Sequence, residues 1–95
     1  LHVITGRKLV EAGSRHPELI GPLDIWYRLA RRATWRCLEE VREVLPAADG
    51  VGIFTVFNIK GNHFRLIAEI NYTTGRVFIR HVLTHAEYDT GAWKL

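Results

Sequence analysis

His85 and Tyr88 stand three residues apart at the end of the run Thr84-His85-Ala86-Glu87-Tyr88. Thr-x-x-Glu is the form of a capping box, in which each of the two side chains accepts the other residue's main-chain N–H. The pattern predicts that a strand ends at Thr84 and passes into a short helical segment with His85 and Tyr88 on one side. A histidine so placed suits proton transfer near neutral pH. Alternation along the preceding strands puts Arg65 and Arg80 on the neighbouring sheet face. A guanidinium keeps its charge and can fork onto two phosphate oxygens. The candidate chemistry is acid–base work on a phosphate-bearing substrate. The same residues also have a local reading, with Thr84 and Glu87 capping a helix end and His85 on its surface.

The elements that must hold these residues can be read from periodicity. His2-Val3-Ile4 is β-prone, and Thr5 is placed to cap a helix over Arg7–Arg15 that stops before Pro17. Gly21-Pro22 is expected to open a second helix, in which Leu23, Trp26, Tyr27 and Ala30 form one apolar face. Trp35, Leu38, Val41 and Leu45 suggest a third helix, ended by Pro46. From Val51 the texture becomes β-branched and aromatic. Strands are expected over 51–59, 63–72 and 76–83, with turns at Lys60-Gly61-Asn62 and at a two-residue Thr74-Gly75. Helices first and strands after predict an α+β fold with the N-terminal helices on one face of a small, mainly antiparallel sheet.

That register gives the sheet two unlike faces. Ile53, Thr55, Phe57, Phe64, Leu66, Ala68, Ile70, Val77, Ile79, His81 and Leu83 make a nearly apolar face for the helices. Phe54, Val56, Asn58, Arg65, Ile67, Glu69, Phe78, Arg80, Val82 and Thr84 make the other, with Glu69 opposite Arg80 and Arg65 opposite Thr84. A one-residue bulge would break the assignment locally. The second face reads either as an ordinary solvated surface or as a platform for a nucleic acid.

Other constellations carry less. His81 and His85 are four apart, but across a strand and a turn, without helical HExxH geometry or a third ligand, so no metal or cofactor is expected. His81 reads as a partly buried structural histidine. Arg28, Arg31, Arg32 and Arg36 read as a solvated helix face or as an RNA contact, and Arg36 can pair with Glu40. There is no P-loop and no GxGxxG. Cys37 is the one cysteine, which excludes an internal disulfide and fits a reducing, cytoplasmic setting. It reads as a small residue buried within a helix. The 95 residues point to a single domain over 1–95, and the net charge of +3 favours an anionic partner. No apolar run approaches the roughly 20 residues that span a bilayer, so no membrane association is expected. Residues 1–14 lack the apolar stretch of a signal peptide.

Two segments resemble the HigB-type toxins of the RelE/ParE superfamily. Val56-Phe57-Asn58-Ile59-Lys60-Gly61-Asn62-His63-Phe64-Arg65-Leu66 resembles their "vFNI-gN-yRL" segment, and Val82-Leu83-Thr84-His85-Ala86-Glu87-Tyr88-Asp89 resembles their "THAEYD" ending, with Trp93 following. Trp26-Tyr27, Trp35 and Ala48-Asp49 match more loosely. His63 and Phe64 depart from the more usual Lys or Asn and Tyr, which removes a polar contact from that site. The resemblance implies a RelE-like toxin fold and metal-independent cleavage of mRNA, often on the ribosome. It also implies neutralisation by a helix-turn-helix antitoxin of the HigA kind, through which alone operator DNA would be engaged.

On that reading the RNA's own 2′-hydroxyl is the nucleophile. His85 handles one proton transfer, Arg65 stabilises the charged phosphorane, and Tyr88 donates a proton, orients the nucleophile or stacks a base. Asn58, Lys60, Asn62 and Arg80 hold the RNA. Nearby arginines and a helix N-terminus favour a neutral base at His85, while bound phosphate favours an acid, so both roles stay open. The competing readings are a non-catalytic RNA-binding module using the same face and a plain protein-interaction domain.

Overall fold

The structure, a computed structural model, describes residues 1–94. Strand β1 (His2–Ile4) leads into helix α1 (Arg7–Arg15), a 3-10 turn (Pro17–Leu19), and helices α2 (Ile20–Arg32) and α3 (Leu38–Val44). Strands β2 (Asp49–Val51), β3 (Phe54–Ile59), β4 (Phe64–Asn71) and β5 (Arg76–Thr84) follow, then helix α4 (His85–Asp89) and a 3-10 turn (Ala92–Lys94). The strands form one sheet in the order β1-β5-β4-β3-β2. β1 runs parallel to β5, and the other pairs are antiparallel. The α+β arrangement is that expected from the sequence, with the N-terminal helices on one sheet face.

The main core lies between those helices and the sheet. Leu9, Ala12, Leu19, Leu23, Trp26, Ala30 and Val41 are buried against Phe57, Leu66, Ala68, Val77 and Ile79. Trp26 meets Phe57 edge to face, with ring centroids 5.3 Å apart. The apolar side chains of α2 recur at helical spacing, which is why this face was readable in advance.

Several expected boundaries move. Thr5 does not cap α1; it sits at φ +64, and its hydroxyl accepts the Ile79 N–H at 2.9 Å. α2 begins at Ile20, because the Pro17–Leu19 turn feeds directly into it, and Pro22 still falls in the first turn, where its missing N–H costs little. Trp35 precedes α3 and stacks on Phe57 instead. Cys37 is a half-buried, extended residue at the head of α3, not an interior helical one. The expected strand over 51–59 is broken at Gly52, whose φ of +59 folds β2 back on β3. Ile53 at that tip is therefore exposed, not part of the core face.

The largest correction is in β5. Its turn with β4 has four residues, Tyr72–Gly75, with the Asn71 side chain accepting the N–H groups of Thr73 and Thr74 at 3.0 and 3.1 Å. Glu69 consequently faces Phe78 and not Arg80. A bulge follows, since Ala68 pairs with Ile79 while Ile67 pairs with His81. Arg80 is the extra residue, and beyond it alternation is inverted. Val82 joins the main core, and Leu83 turns to the second face opposite Arg65, the reverse of the expected placement. Thr84 now faces Phe64.

His81 moves with them, to pair with Ile67. Burial first, then the charges of Lys8 and Arg80, hold its pKa below the ordinary 6.5. The unfolded chain thus takes up that proton more readily than the folded one. The stability carried by neutral His81 is complete above pH 6.5 and is lost as the pH falls from there through the lowered folded value. His81→Gln is expected to flatten the fall in Tm just below pH 6.5, as measured by thermal melts across that range.

Candidate active site on the second sheet face

The second face is more than a solvated surface. Val56, Ile67 and Trp93 form a small buried cluster, flanked by Val51, Phe54, Leu83 and Tyr88. The chain after β5 thus folds back over the sheet, and α4 is seated on this second core.

α4 is tied at its start. The capping box is present: the Glu87 N–H reaches the Thr84 hydroxyl at 3.2 Å, and the Thr84 N–H reaches the Glu87 carboxylate at 2.9 Å. That main-chain donor holds the Glu87 pKa below its ordinary range, with smaller contributions from Arg15 and His16. The main-chain N–H of His85 donates to the carbonyl of His63 at 2.9 Å, which pins the helix to the end of the β3–β4 turn. Its half-exposed imidazole has Nδ1 at 2.8 Å from a carboxylate oxygen of Asp89, one turn along α4.

Tyr88 is half-buried. Its ring stacks on Trp93, with centroids 5.2 Å apart and planes 15° from parallel. The Trp93 indole N–H donates to the Tyr88 carbonyl at 3.0 Å, and its ring meets Phe54 edge to face. The Arg65 guanidinium lies over the Tyr88 ring, 5.3 Å from its centroid.

Arg65 is the buried cation of this face, with only 8% of its surface exposed. One terminal nitrogen donates to the carbonyls of Asn62 and Phe64, both at 3.1 Å, and the other donates to the Asn62 side-chain oxygen. Part of its fork is therefore spent on the β3–β4 turn, where Lys60 and Gly61 adopt φ of +52 and +65. The charge fixes that turn and Tyr88 relative to each other. Asn58 is exposed on β3 directly opposite Arg65, and Lys60 and Asn62 are exposed at the turn.

The structure thus gathers Arg65, Tyr88, Asn62 and, at the head of α4, His85, with Asn58 and Lys60 at the rim. Arg80 is not brought to this group. It lies beside Glu69, four residues or about 13 Å along β4 from Arg65, bonded to that carboxylate at 3.0 Å and stacked over Phe78. Asp89 and Trp93 were not singled out as site residues from the sequence. Asp89 was detectable, four residues after His85 on an expected helix. On α2 Arg28 pairs with Asp24, and in the connection between α2 and α3 Arg36 pairs with Glu40. Among the described residues no three His, Cys, Asp or Glu side chains cluster to hold a metal ion, and no helix is long and apolar enough to cross a membrane.

The family described as the HigB toxin, the RelE-like toxic component of a toxin–antitoxin system, matches residues 21–91, a span covering α2 through α4. The mRNA interferase HigB of Escherichia coli O6:H1 is 30% identical over 92 residues, covering 94% of this chain and 89% of that protein. The mRNA interferase toxin HigB of Escherichia coli strain K12 and the mRNA interferase HigB of Shigella flexneri are each 28% identical over 92 residues, covering 94% of this chain and 88% of theirs. With three quarters of its length in that match, the chain belongs to the HigB family of RelE-like toxins.

Proposed function

We propose that this chain is an endoribonuclease that cleaves mRNA, acting in the cytoplasm and on ribosome-bound message, and that an antitoxin holds it inactive. Its relatives bear the name mRNA interferase. The observation that carries the reading is the assembly of a buried guanidinium, a tyrosine and a histidine on and around one capped helix.

In this mechanism the 2′-hydroxyl of the RNA gives its proton to His85 as its oxygen bonds to phosphorus. The bond from phosphorus to the 5′-oxygen breaks, and that oxygen takes a proton from the Tyr88 hydroxyl, which is replenished from solvent. The products are a 2′,3′-cyclic phosphate and a 5′-hydroxyl end. Positions three apart on a helix have Cβ atoms about 5–6 Å apart, a separation suited to the two sides of one phosphate. Arg65 supplies positive charge beneath the reacting group, in a setting shielded from water where it acts more strongly than at the surface. Lys60, Asn62 and Asn58 hold the nearest nucleotides, and Arg80 takes a phosphate farther along the strand. The antitoxin is of the helix-turn-helix, HigA-like kind, and operator DNA is reached only through it.

The test is to incubate the purified chain with mRNA, with and without ribosomes, and to sequence the new 5′ ends. Discrete new ends bearing 5′-hydroxyls are expected, in greater number with ribosomes. RNA binding without cleavage in both conditions would instead make this a non-catalytic RNA-binding module.

A further inference from the structure

We infer that Asp89 is a positioning residue that sets the tautomer of His85, leaving Nε2 as the proton acceptor; this rests on the ribonuclease reading above. The imidazole has two nitrogens, and only one can carry the proton when the ring is neutral. Nδ1 lies 2.8 Å from the Asp89 carboxylate. A bare lone pair on Nδ1 would lie close to a negative oxygen and be repelled, whereas an N–H there is attracted. The neutral ring therefore carries its hydrogen on Nδ1 and its lone pair on Nε2.

The pairing is built into the backbone. Four residues separate the two side chains on α4, so they stand one above the other on one face. The helix cannot rotate freely about its start, because the capping box and the bond from the His85 N–H to the His63 carbonyl fix it there. The effect on chemistry is specific. A histidine free in water favours the tautomer with hydrogen on Nε2, which would present a donor where the 2′-hydroxyl proton must go. Asp89 reverses that preference. In the mechanism above, Nε2 is then the atom that receives the proton of the attacking 2′-oxygen. Asp89 itself touches neither RNA nor the reacting atoms.

The experiment compares the full chain with Asp89→Ala and Asp89→Glu. Ring nitrogen correlations by 15N NMR, at a pH where His85 is neutral, report the tautomer directly. Cleavage of mRNA, with ribosomes present, gives kcat and KM. The wild type is expected to carry hydrogen on Nδ1. In Asp89→Ala the ring should move towards the Nε2–H form, and kcat should fall roughly 10-fold or more with KM little changed. Asp89→Glu, which restores a carboxylate within reach, should recover both. Asp89 is exposed, so all three proteins should melt alike. An Nε2–H ring in the wild type would overturn the inference, as would an Nδ1–H ring or an unchanged kcat in Asp89→Ala while the wild type cleaves. A wild type that cleaves nothing would overturn the ribonuclease reading itself and this inference with it.

Discussion

His85→Ala is expected to abolish growth arrest and to lower mRNA cleavage by roughly 10²- to 10⁴-fold, the range that a positioned acid or base contributes. The fold should scarcely notice. The imidazole is half-exposed, its polar side-chain partner among the described residues is Asp89, and the helix cap and the main-chain bond to His63 do not depend on its ring. Substitutions at such surface positions change stability by about 0.5 kcal/mol or less. Thermal melts and cleavage rates measured on the same preparation check both halves of this expectation. A folded His85→Ala protein cleaving within about tenfold of the wild type would remove His85 from the chemistry, because truncating a proton-transfer group costs more than that.

Arg65→Ala should fail in both respects. The substitution leaves three acceptors without their charged donor and removes the cation from the face of Tyr88. Hydrogen bonds to charged groups and cation–π contacts of this kind together imply a loss of about 2 kcal/mol or more. In a domain of this size that is a fall in Tm of roughly 10 °C. Activity should drop by a further factor of roughly 10² to 10³ when measured well below the lowered Tm, where the variant is still folded. Arg65→Lys should not restore it. An ammonium is a point charge without the planar fork that reaches the Asn62 side chain, two carbonyls and an aromatic face together. Cleavage that returns fully once the protein is cooled into its folded range would reduce Arg65 to a purely structural cation.

How much of this could be read from residues alone depended on whether the determinant was local. The capping box was visible because Thr84 and Glu87 satisfy each other within one turn. The apolar face of α2 was visible because Leu23, Trp26 and Ala30 repeat at the helical period. The turn at Lys60-Gly61-Asn62 was visible in its glycine and asparagine. The shift at Arg80 was not, because a bulge needs no signature residue and depends on how two strands fit over their whole length. The four-residue Tyr72–Gly75 turn was missed for a related reason. Asn71 organises it through its side chain, and that bond competes with the shorter turn that Thr74-Gly75 suggested. Among site residues, Arg65 was placed on the correct face. Its commitment to Asn62 and its burial under Tyr88 depend on α4 folding back, which no periodicity announces. Trp93 lies beyond any repeating pattern, yet it supplies the apolar seat on which that helix rests.

The bulged residue of β5 works as a phase shifter between the two halves of one strand. Upstream of it the odd-numbered side chains point into the helical layer, and downstream the even-numbered Val82 does so while Leu83 points to the other side. Pairing there carries as much information as side-chain identity. Pairing Arg80 as an ordinary ladder residue would send Leu83 among the helices, expel Val82, and launch the final helix from the wrong side of the sheet, whereas deleting it would close the bulge and leave both side chains where they are. A change of letter at Arg80 need only forgo a surface ion pair.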